Sequence, residues 1–172
     1  GRRLVICSET GAGASFNESQ IKLLTGGNTV NARFCGRDEI NFAPTHKLAV
    51  ETNSRPQVRG TDEGIWRRLL LVPFTVTIPP EKRDPALKER LLAERSGILN
   101  ALIAGCLEWQ KIGLSPPAAV RAATAGYRDD EDTLGQFLEA CVVQHFAASV
   151  QSSELFGVYK AWAEAAGERP LS

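Results

Sequence analysis

Three groups of polar residues flank apolar runs in the first half of the chain. Ser8 and Glu9 close the first apolar run, and Asn53 follows a later one. The adjacent arginines Arg67 and Arg68 stand directly before a third. A carboxylate and an amide at neighbouring strand ends suit nucleotide hydrolysis, because the carboxylate holds Mg²⁺ or polarises water while the amide orients the attacking water. A nearby arginine can neutralise the charge that develops on the transferred phosphoryl group.

Each of these residues also has a structural interpretation that needs no ligand. Asn53 is suited to begin a turn, and Pro56 shortly after it stops the strand from continuing. Glu9 is consistent with a solvated strand end, and the two arginines with surface charges of which one is paired to a carboxylate. The presence of all three groups in one chain favours the chemical interpretation.

Hydrophobic periodicity divides the chain into a strand-rich first half and a helical remainder. The first half predicts strands, a β-hairpin with a charged tip and one short helix. In chain order their ranges are 3–9, the helix 16–25, the hairpin 30–42, 47–52 and 68–74. Beyond these, apolar residues recur at helical spacing, with capping residues between the helices. Five helices are predicted. The first begins after Asp84 as N-cap, the second ends near Gly113, and the third begins at Ser115 and Pro116. The fourth lies around 134–142 and the fifth over 153–166.

The composition is that of an ordinary soluble globular protein. The chain has 172 residues, of which 43% are hydrophobic and 23% charged, with a formal net charge of zero. No apolar run is long enough to span a bilayer, and the N-terminal sequence lacks the pattern of a signal peptide. We therefore expect a cytoplasmic protein with no membrane partner.

Several residues are predicted to be purely structural. The four cysteines are too widely separated for a zinc or redox motif, so we expect no metal site and predict small, buried, reduced thiols. Trp109, Tyr159 and Trp162 are predicted to lie in the core, because each stands among apolar residues at helical spacing. Lys22 and the acidic run 129–132 are predicted to be solvated surface.

The chain resembles the superfamily III helicase domain of phage and plasmid primase-helicases, which are relatives of the poxvirus primase-helicase. The resemblance rests on RLVICSE, LLTGGNTVNARF, INFAPTHKLAVETNSRPQVRGTDEGIWRRLLLVPF and GILNALIAGCLEWQKIGLSPP, and covers nearly the whole chain. It implies an α/β fold: a partial P-loop (AAA+-like) ATPase sheet with an inserted β-hairpin, an all-helical region and the start of a winged-helix module. The implied boundaries are 1–80, 81–147 and 148–172.

The resemblance assigns roles to the polar residues introduced above. Glu9 corresponds to the Walker B acid, and Ser8 stands where many relatives carry a further acid. Asn53 corresponds to the sensor asparagine. Arg67 or Arg68 corresponds to the arginine finger, with a slight preference for Arg68. The cofactors implied are ATP and Mg²⁺.

The resemblance also implies contacts with DNA and with other subunits. The hairpin 30–42 corresponds to the element that enters the central channel of ring helicases and follows single-stranded DNA. Its basic candidates are Arg33 and Arg37, although a charged residue at a hairpin tip commonly serves solubility instead. The implied partners are single-stranded DNA, neighbouring subunits of a homo-oligomeric ring of about six and a fused primase domain.

One part of the family's pattern is missing. The motif G-x-x-x-x-G-K-[ST], whose backbone amides and lysine hold the nucleotide phosphates, does not occur in the chain. We therefore expect the chain to be the C-terminal part of a longer ATP-dependent replicative helicase that moves along single-stranded DNA, and to be inactive by itself.

Two other functions are compatible with the sequence. One is a catalytically inactive ATPase remnant that serves as a DNA- or partner-binding module, which the missing phosphate-binding motif favours. The other is an initiator protein that recognises duplex DNA through a winged helix. The retention of Glu9, Asn53 and the arginine pair favours the helicase.

Overall fold

The fold is described from a computed structural model for residues 3–8, 11, 13–33, 35–60, 62–167 and 170. The chain divides into two units. The first combines residues 1–69 with residues 125–172, and the second comprises residues 70–124. The residues predicted to carry chemistry all belong to the first unit.

Two parallel strands of the first unit place polar residues at a common edge. Strand β1 (Leu4–Ser8) pairs with β4 (Lys47–Glu51), in a register that sets Leu4 opposite Lys47 and Ser8 opposite Glu51. The predictions of strands at 3–9 and 47–52 are confirmed for the described residues. Because parallel strands run in the same direction, the carboxyl ends of β1 and β4 lie side by side.

The chain between these strands forms a helix and a hairpin. Helix α1 (Glu18–Thr25) begins after Asn17, whose side-chain oxygen accepts a hydrogen bond from the Gln20 amide at 3.1 Å. Strands β2 (Val30–Arg33) and β3 (Glu39–Phe42) then pair in antiparallel fashion. Gly36 in their turn has a φ of 71°, a left-handed conformation that glycine adopts without strain. The predicted helix and hairpin are both confirmed.

From Leu87 onward the described chain forms helices joined by connecting segments, as predicted, and two short helical segments that were not predicted precede them. After a short helix α2 (Glu63–Trp66) and a 3₁₀ turn (Pro80–Lys82), the helices are α3 (Leu87–Ala93), α4 (Arg95–Ile112), α5 (Ala118–Glu131), α6 (Thr133–Cys141) and α7 (Ser152–Ala165). Helix α3 begins three residues after its predicted N-cap, because Asp84 accepts a hydrogen bond from the Ala86 amide within a turn that precedes the helix.

The predicted strand at 68–74 is wrong. Residues 67–79, all of which the structure describes, have no strand, and the Leu71 amide donates to the Thr124 hydroxyl at 2.9 Å instead of to a neighbouring strand. Val72 and Phe74 are exposed, at 56% and 94%. An apolar run predicts burial on a sheet, but a strand also needs a neighbour that supplies its ladder of hydrogen bonds.

A small aromatic core joins α6 to α7. Phe137 is 1% exposed and contacts Tyr159 edge-on, with 5.3 Å between the ring centroids. The Trp162 ring lies 5.7 Å from Phe137, and Ala163 is fully buried beside them. These contacts confirm the core positions predicted for Tyr159 and Trp162.

Two other burial predictions are wrong. Trp109 is 52% exposed on α4, where its helical spacing places it among side chains that are themselves exposed. All four cysteines are free thiols, as predicted, but they are exposed and not buried. Periodicity reports which residues share a face, whereas burial depends on what packs against that face.

We predict that Phe137→Ala lowers the free energy of unfolding by about 3–5 kcal/mol, because truncation leaves a cavity between α6 and α7. Leu134→Ala on the same helix is the matched control. Leu134 is 41% exposed, so we expect a loss of roughly 1 kcal/mol or less. Denaturant unfolding measures both, and equal losses would contradict the assignment of Phe137 to the core.

Candidate functional site

The carboxyl ends of β1 and β4 form an edge at which Ser8 ends one strand and Asn53 follows the other. The Ser8 hydroxyl lies 3.4 Å from a carboxylate oxygen of Glu51, its partner in the strand register. Asn53 follows two residues later and is exposed. Glu9, the predicted Walker B acid, lies outside the described residues. The structure therefore brings Ser8 to the strand end that leads into Asn53, and it adds Glu51 to the same edge.

Glu51 is a residue that the sequence did not single out. It is the last residue of the apolar run KLAVE, and its carboxylate is exposed opposite Ser8. The signal that could have found it is the strand register, since parallel strands that end together present their last residues together. Hydroxyl and carboxylate oxygens are ligands that Mg²⁺ accepts, so Ser8 and Glu51 are chemically suited to a magnesium–nucleotide complex.

A tight turn contains Asn53. The Thr52 hydroxyl donates to the Ser54 carbonyl at 2.6 Å and lies 3.3 Å from the Ser54 amide. Such a local side-chain contact is typical of turns. The structure thus confirms that Asn53 lies in a turn, and this turn leaves its amide side chain exposed at the sheet edge.

Residues 54–66, which we call the linking segment, connect Asn53 to the arginine pair. Helix α1 contacts this segment at two residues. Glu18 accepts a hydrogen bond from the Gly60 amide at 2.7 Å, and the Lys22 ammonium lies 2.8 Å from Asp62. Hydrogen bonding to Lys22 lowers the pKa of the Asp62 carboxyl. Lys22 is therefore a structural contact, and its prediction as mere solvated surface is wrong.

Helix α5 also contacts the linking segment, through residues of the acidic run 129–132. Asp130 lies 2.7 Å from the Arg55 guanidinium, and Glu131 accepts a hydrogen bond from the Val58 amide at 2.8 Å. Asp132 caps α6 by accepting from the Gly135 amide at 2.9 Å. The prediction that this run is only solvated surface is wrong, because three of its carboxylates bind specific partners.

The buried aromatic side chains of Tyr127 and Trp66 also hold the linking segment. Tyr127 of α5 is buried, and its hydroxyl donates to the Pro56 carbonyl. Trp66 packs edge-on against Tyr127 at 5.3 Å between ring centroids, and its indole nitrogen donates to the Gly60 carbonyl at 3.0 Å. The Arg55 guanidinium lies 5.5 Å from the centre of the Tyr127 ring, where a cation is attracted to the aromatic face.

The two candidate finger arginines have different surroundings. Arg67 immediately follows α2 and is exposed. Arg68 is half-buried, its guanidinium donates to the Gly64 carbonyl of α2, and its Nε is buried without a hydrogen-bond partner among the described residues. A side chain that reaches a neighbouring molecule must be free to extend, so these placements favour Arg67 as the finger candidate, whereas the resemblance slightly favours Arg68.

The hairpin presents its two arginines differently. Arg33 stands opposite Glu39 in the strand register. The Glu39 carboxylate accepts a hydrogen bond from the side-chain amide of Asn31 at 3.1 Å. Arg37 lies in the exposed turn beside Gly36. Both arginines are exposed, and Arg33 differs from Arg37 in having a carboxylate residue opposite it in the strand register.

Neither a metal cluster nor a membrane span is found within the part of the chain that the structure describes. No three His, Cys, Asp or Glu side chains there come together as a metal site. No helix among the same residues is long and apolar enough to cross a membrane.

Comparison with known proteins finds relatives in large DNA viruses. No protein-family model matches the chain. The chain is 24% identical over 182 aligned positions to "Putative helicase 022R" of Frog virus 3 (isolate Goorha), covering 96% of this chain. It is 28% identical over 155 positions to "Putative helicase L207/L206" of Acanthamoeba polyphaga mimivirus, covering 80%. It is 32% identical over 94 positions to "Putative helicase 184R" of Invertebrate iridescent virus 6, covering 52%.

The chain has a helicase-like relationship to these viral proteins. It spans 19%, 16% and 10% of their respective lengths. The similarity therefore concerns one region of much longer polypeptides, and the activity of a whole protein is a matter for proposal.

The buried Tyr127 generates a prediction about alkaline pH. Burial, followed by the nearby Glu131 carboxylate, raises the pKa of Tyr127 from 10.0 to about 12. Above pH 10 the unfolded chain loses this proton while the folded chain keeps it, so stability should fall as pH rises from about 10 to about 12.

Unfolding free energies measured by denaturant across this pH range test the assignment. Tyr127→Phe should remove the part of the alkaline loss of stability that Tyr127 causes. At neutral pH it should lower the free energy of unfolding by about 1 kcal/mol, because the Pro56 carbonyl loses its hydrogen-bond donor. A variant with the parent's full pH dependence would contradict the assignment.

Proposed function

We propose that the chain is the C-terminal part of an ATP-dependent replicative DNA helicase, with a superfamily III ATPase domain of the kind found in primase-helicases. The observation that carries this proposal is the parallel pairing of β1 with β4, which brings Ser8 and Glu51 together at the edge where Asn53 follows. The helicase names of the three viral relatives support the same class of activity.

In this proposal the strand edge faces the phosphates of ATP. Ser8 and Glu51 would offer oxygen ligands to Mg²⁺, and Glu9, which directly follows Ser8, would serve as the Walker B acid that polarises the attacking water. Bound Mg²⁺ would neutralise charge on the β- and γ-phosphates. Asn53 orients the water through its exposed amide. The phosphate cradle comes from another part of the longer polypeptide.

We place Arg67 as the arginine finger of a neighbouring subunit. Its exposed guanidinium, at the end of a helix whose other face is buried through Ile65 and Trp66, is available to a second molecule. A finger supplied in trans requires that ATP bind between subunits, and we propose a closed homo-oligomeric ring of about six subunits. Arg68 holds the end of α2 through its bond to Gly64.

We place the β2–β3 hairpin in the path of single-stranded DNA. Arg37 at its exposed turn contacts the phosphate backbone, and Arg33 contributes less because Glu39 stands opposite it. Movement of the hairpin with the nucleotide cycle would pull the strand. In this proposal the helices α3 to α6 form the helical region that follows the ATPase sheet, and α7 is the first helix of a winged-helix module that comes after it.

The alternative is an inactive ATPase remnant that binds DNA or a partner protein. The specific observation in its favour is the lack of a phosphate-binding motif in these 172 residues. It predicts DNA binding that ATP does not alter.

Adjacent substitutions in the full-length polypeptide test the finger. Arg67→Ala should lower kcat of DNA-stimulated ATP hydrolysis by about 10³-fold or more, with nucleotide affinity retained. Arg67→Lys should be similarly impaired, because a finger stabilises transition-state charge through its planar guanidinium. Arg68→Ala, the matched control, should mainly reduce stability. An active Arg67→Ala protein would contradict the placement of the finger.

Salt dependence tests the hairpin. Arg37→Ala should weaken binding to single-stranded DNA and make the slope of log affinity against log salt concentration shallower by about 0.7, the value for one lost phosphate contact. The control is Lys160→Ala on α7, an exposed cation that should leave the slope unchanged. Fluorescence anisotropy over a salt series measures both variants. Equal slopes in Arg37→Ala and the parent would remove Arg37 from the DNA path.

A further inference from the structure

The linking segment connects two residues that the proposed function assigns to different nucleotides. Asn53 at its start responds to ATP bound by its own subunit, whereas Arg67 at its end reaches the ATP of a neighbour. We propose that Asp130 and Glu131 of α5, together with Arg128, are positioning residues that fix this segment and so couple the two nucleotide sites. The inference rests on the proposed function and adds residues that carry no role in it.

Contacts from α5 hold the beginning and middle of the linking segment. Asp130 binds Arg55, two residues after Asn53, at 2.7 Å. Glu131 accepts from the Val58 amide at 2.8 Å. A charged acceptor fixes a backbone amide more firmly than a neutral one, so these contacts define where the chain goes after leaving Asn53.

A third contact from the same helix holds the far end. The Arg128 guanidinium lies 2.6 Å from Glu63, the first residue of α2. Helix α2 ends at Trp66, directly before Arg67. One helix therefore holds the segment near Asn53 and again at Glu63, four residues before the proposed finger Arg67.

The exposure of these ion pairs indicates that they position the chain more than they stabilise it. The side chains of Arg55 and Asp130 are 49% and 61% exposed, and those of Arg128 and Glu63 are 42% and 73% exposed. Exposed pairs contribute little to the stability of a fold. Burial of Tyr127 and Trp66 supplies the stability, so loss of an ion pair should displace the segment without unfolding the unit.

Charge reversal in the full-length polypeptide tests the Arg55–Asp130 contact. Arg55→Asp and Asp130→Arg should each lower kcat of DNA-stimulated ATP hydrolysis by about 10- to 100-fold, the effect of small misplacement at a reacting centre. Nucleotide Kd should stay within about twofold, because ground-state binding does not depend on the contact. The double variant restores opposite charges and should recover activity. Cooperativity of hydrolysis with ATP concentration should fall in the single variants and return in the double.

A matched pair and a conservative substitution control for indirect effects. Asp84 and Arg90 form an exposed ion pair at 2.8 Å, and reversing either should leave kcat unchanged. Glu131→Gln keeps an acceptor for the Val58 amide and should retain most activity, whereas Glu131→Ala should lose it. Hydrogen exchange should show faster exchange of residues 54–66 in Asp130→Arg, with residues 87–93 unchanged.

The outcomes separate failure of this inference from failure of the proposed function. If Arg67→Ala is inactive but the Arg55 and Asp130 variants keep the parent's kcat and cooperativity, the inference is overturned and the helicase proposal stands. A double variant no better than the singles also overturns it. If the parent has no DNA-stimulated hydrolysis, the proposed function and the inference both fall.

Discussion

The parallel pairing of β1 with β4 is the constraint on which the arrangement of the site depends. It sets Ser8 opposite Glu51 and directs the chain from β4 into Asn53 at the same edge. A shift of the register by one residue would exchange the faces of the strand and separate these groups. The linking segment that follows Asn53 is then held by contacts from α1 and α5. A nucleotide site at such an edge agrees with the general tendency of open α/β sheets to bind ligands beyond the carboxyl ends of their strands.

Two kinds of interaction hold the linking segment. Burial of the Tyr127 and Trp66 rings against each other, together with the hydrogen bond from the Tyr127 hydroxyl to the Pro56 carbonyl, stabilises the segment. Two carboxylates on α5, those of the exposed Asp130 and the half-buried Glu131, each bind a defined partner in the segment and so set its course. The linking segment is therefore held in place while the residues on either side of it, Asn53 and Arg67, are exposed.

Local patterns in the sequence predicted the elements that depend on local interactions. The alternation through 30–42 predicted the hairpin, and apolar spacing predicted α4, α6 and α7 together with the buried ring of Tyr159. Features that depend on distant partners were missed. Among the residues that the structure describes, the run at 68–74 pairs with no strand, and Trp109 is 52% exposed on α4. The roles of Lys22 and of the acidic run 129–132 require knowledge of which loop lies beside each helix, which spacing along one chain does not provide.

The most direct measurement is to read the coding sequence upstream of the Gly1 codon in the same frame. A phosphate cradle is the part of an ATPase that Ser8, Glu51 and Asn53 cannot supply, since it needs backbone amides and a lysine. We predict a G-x-x-x-x-G-K-[ST] motif there, placed after an apolar strand and before a helix. A reading frame that contains no such motif would contradict the helicase proposal and would favour a binding module.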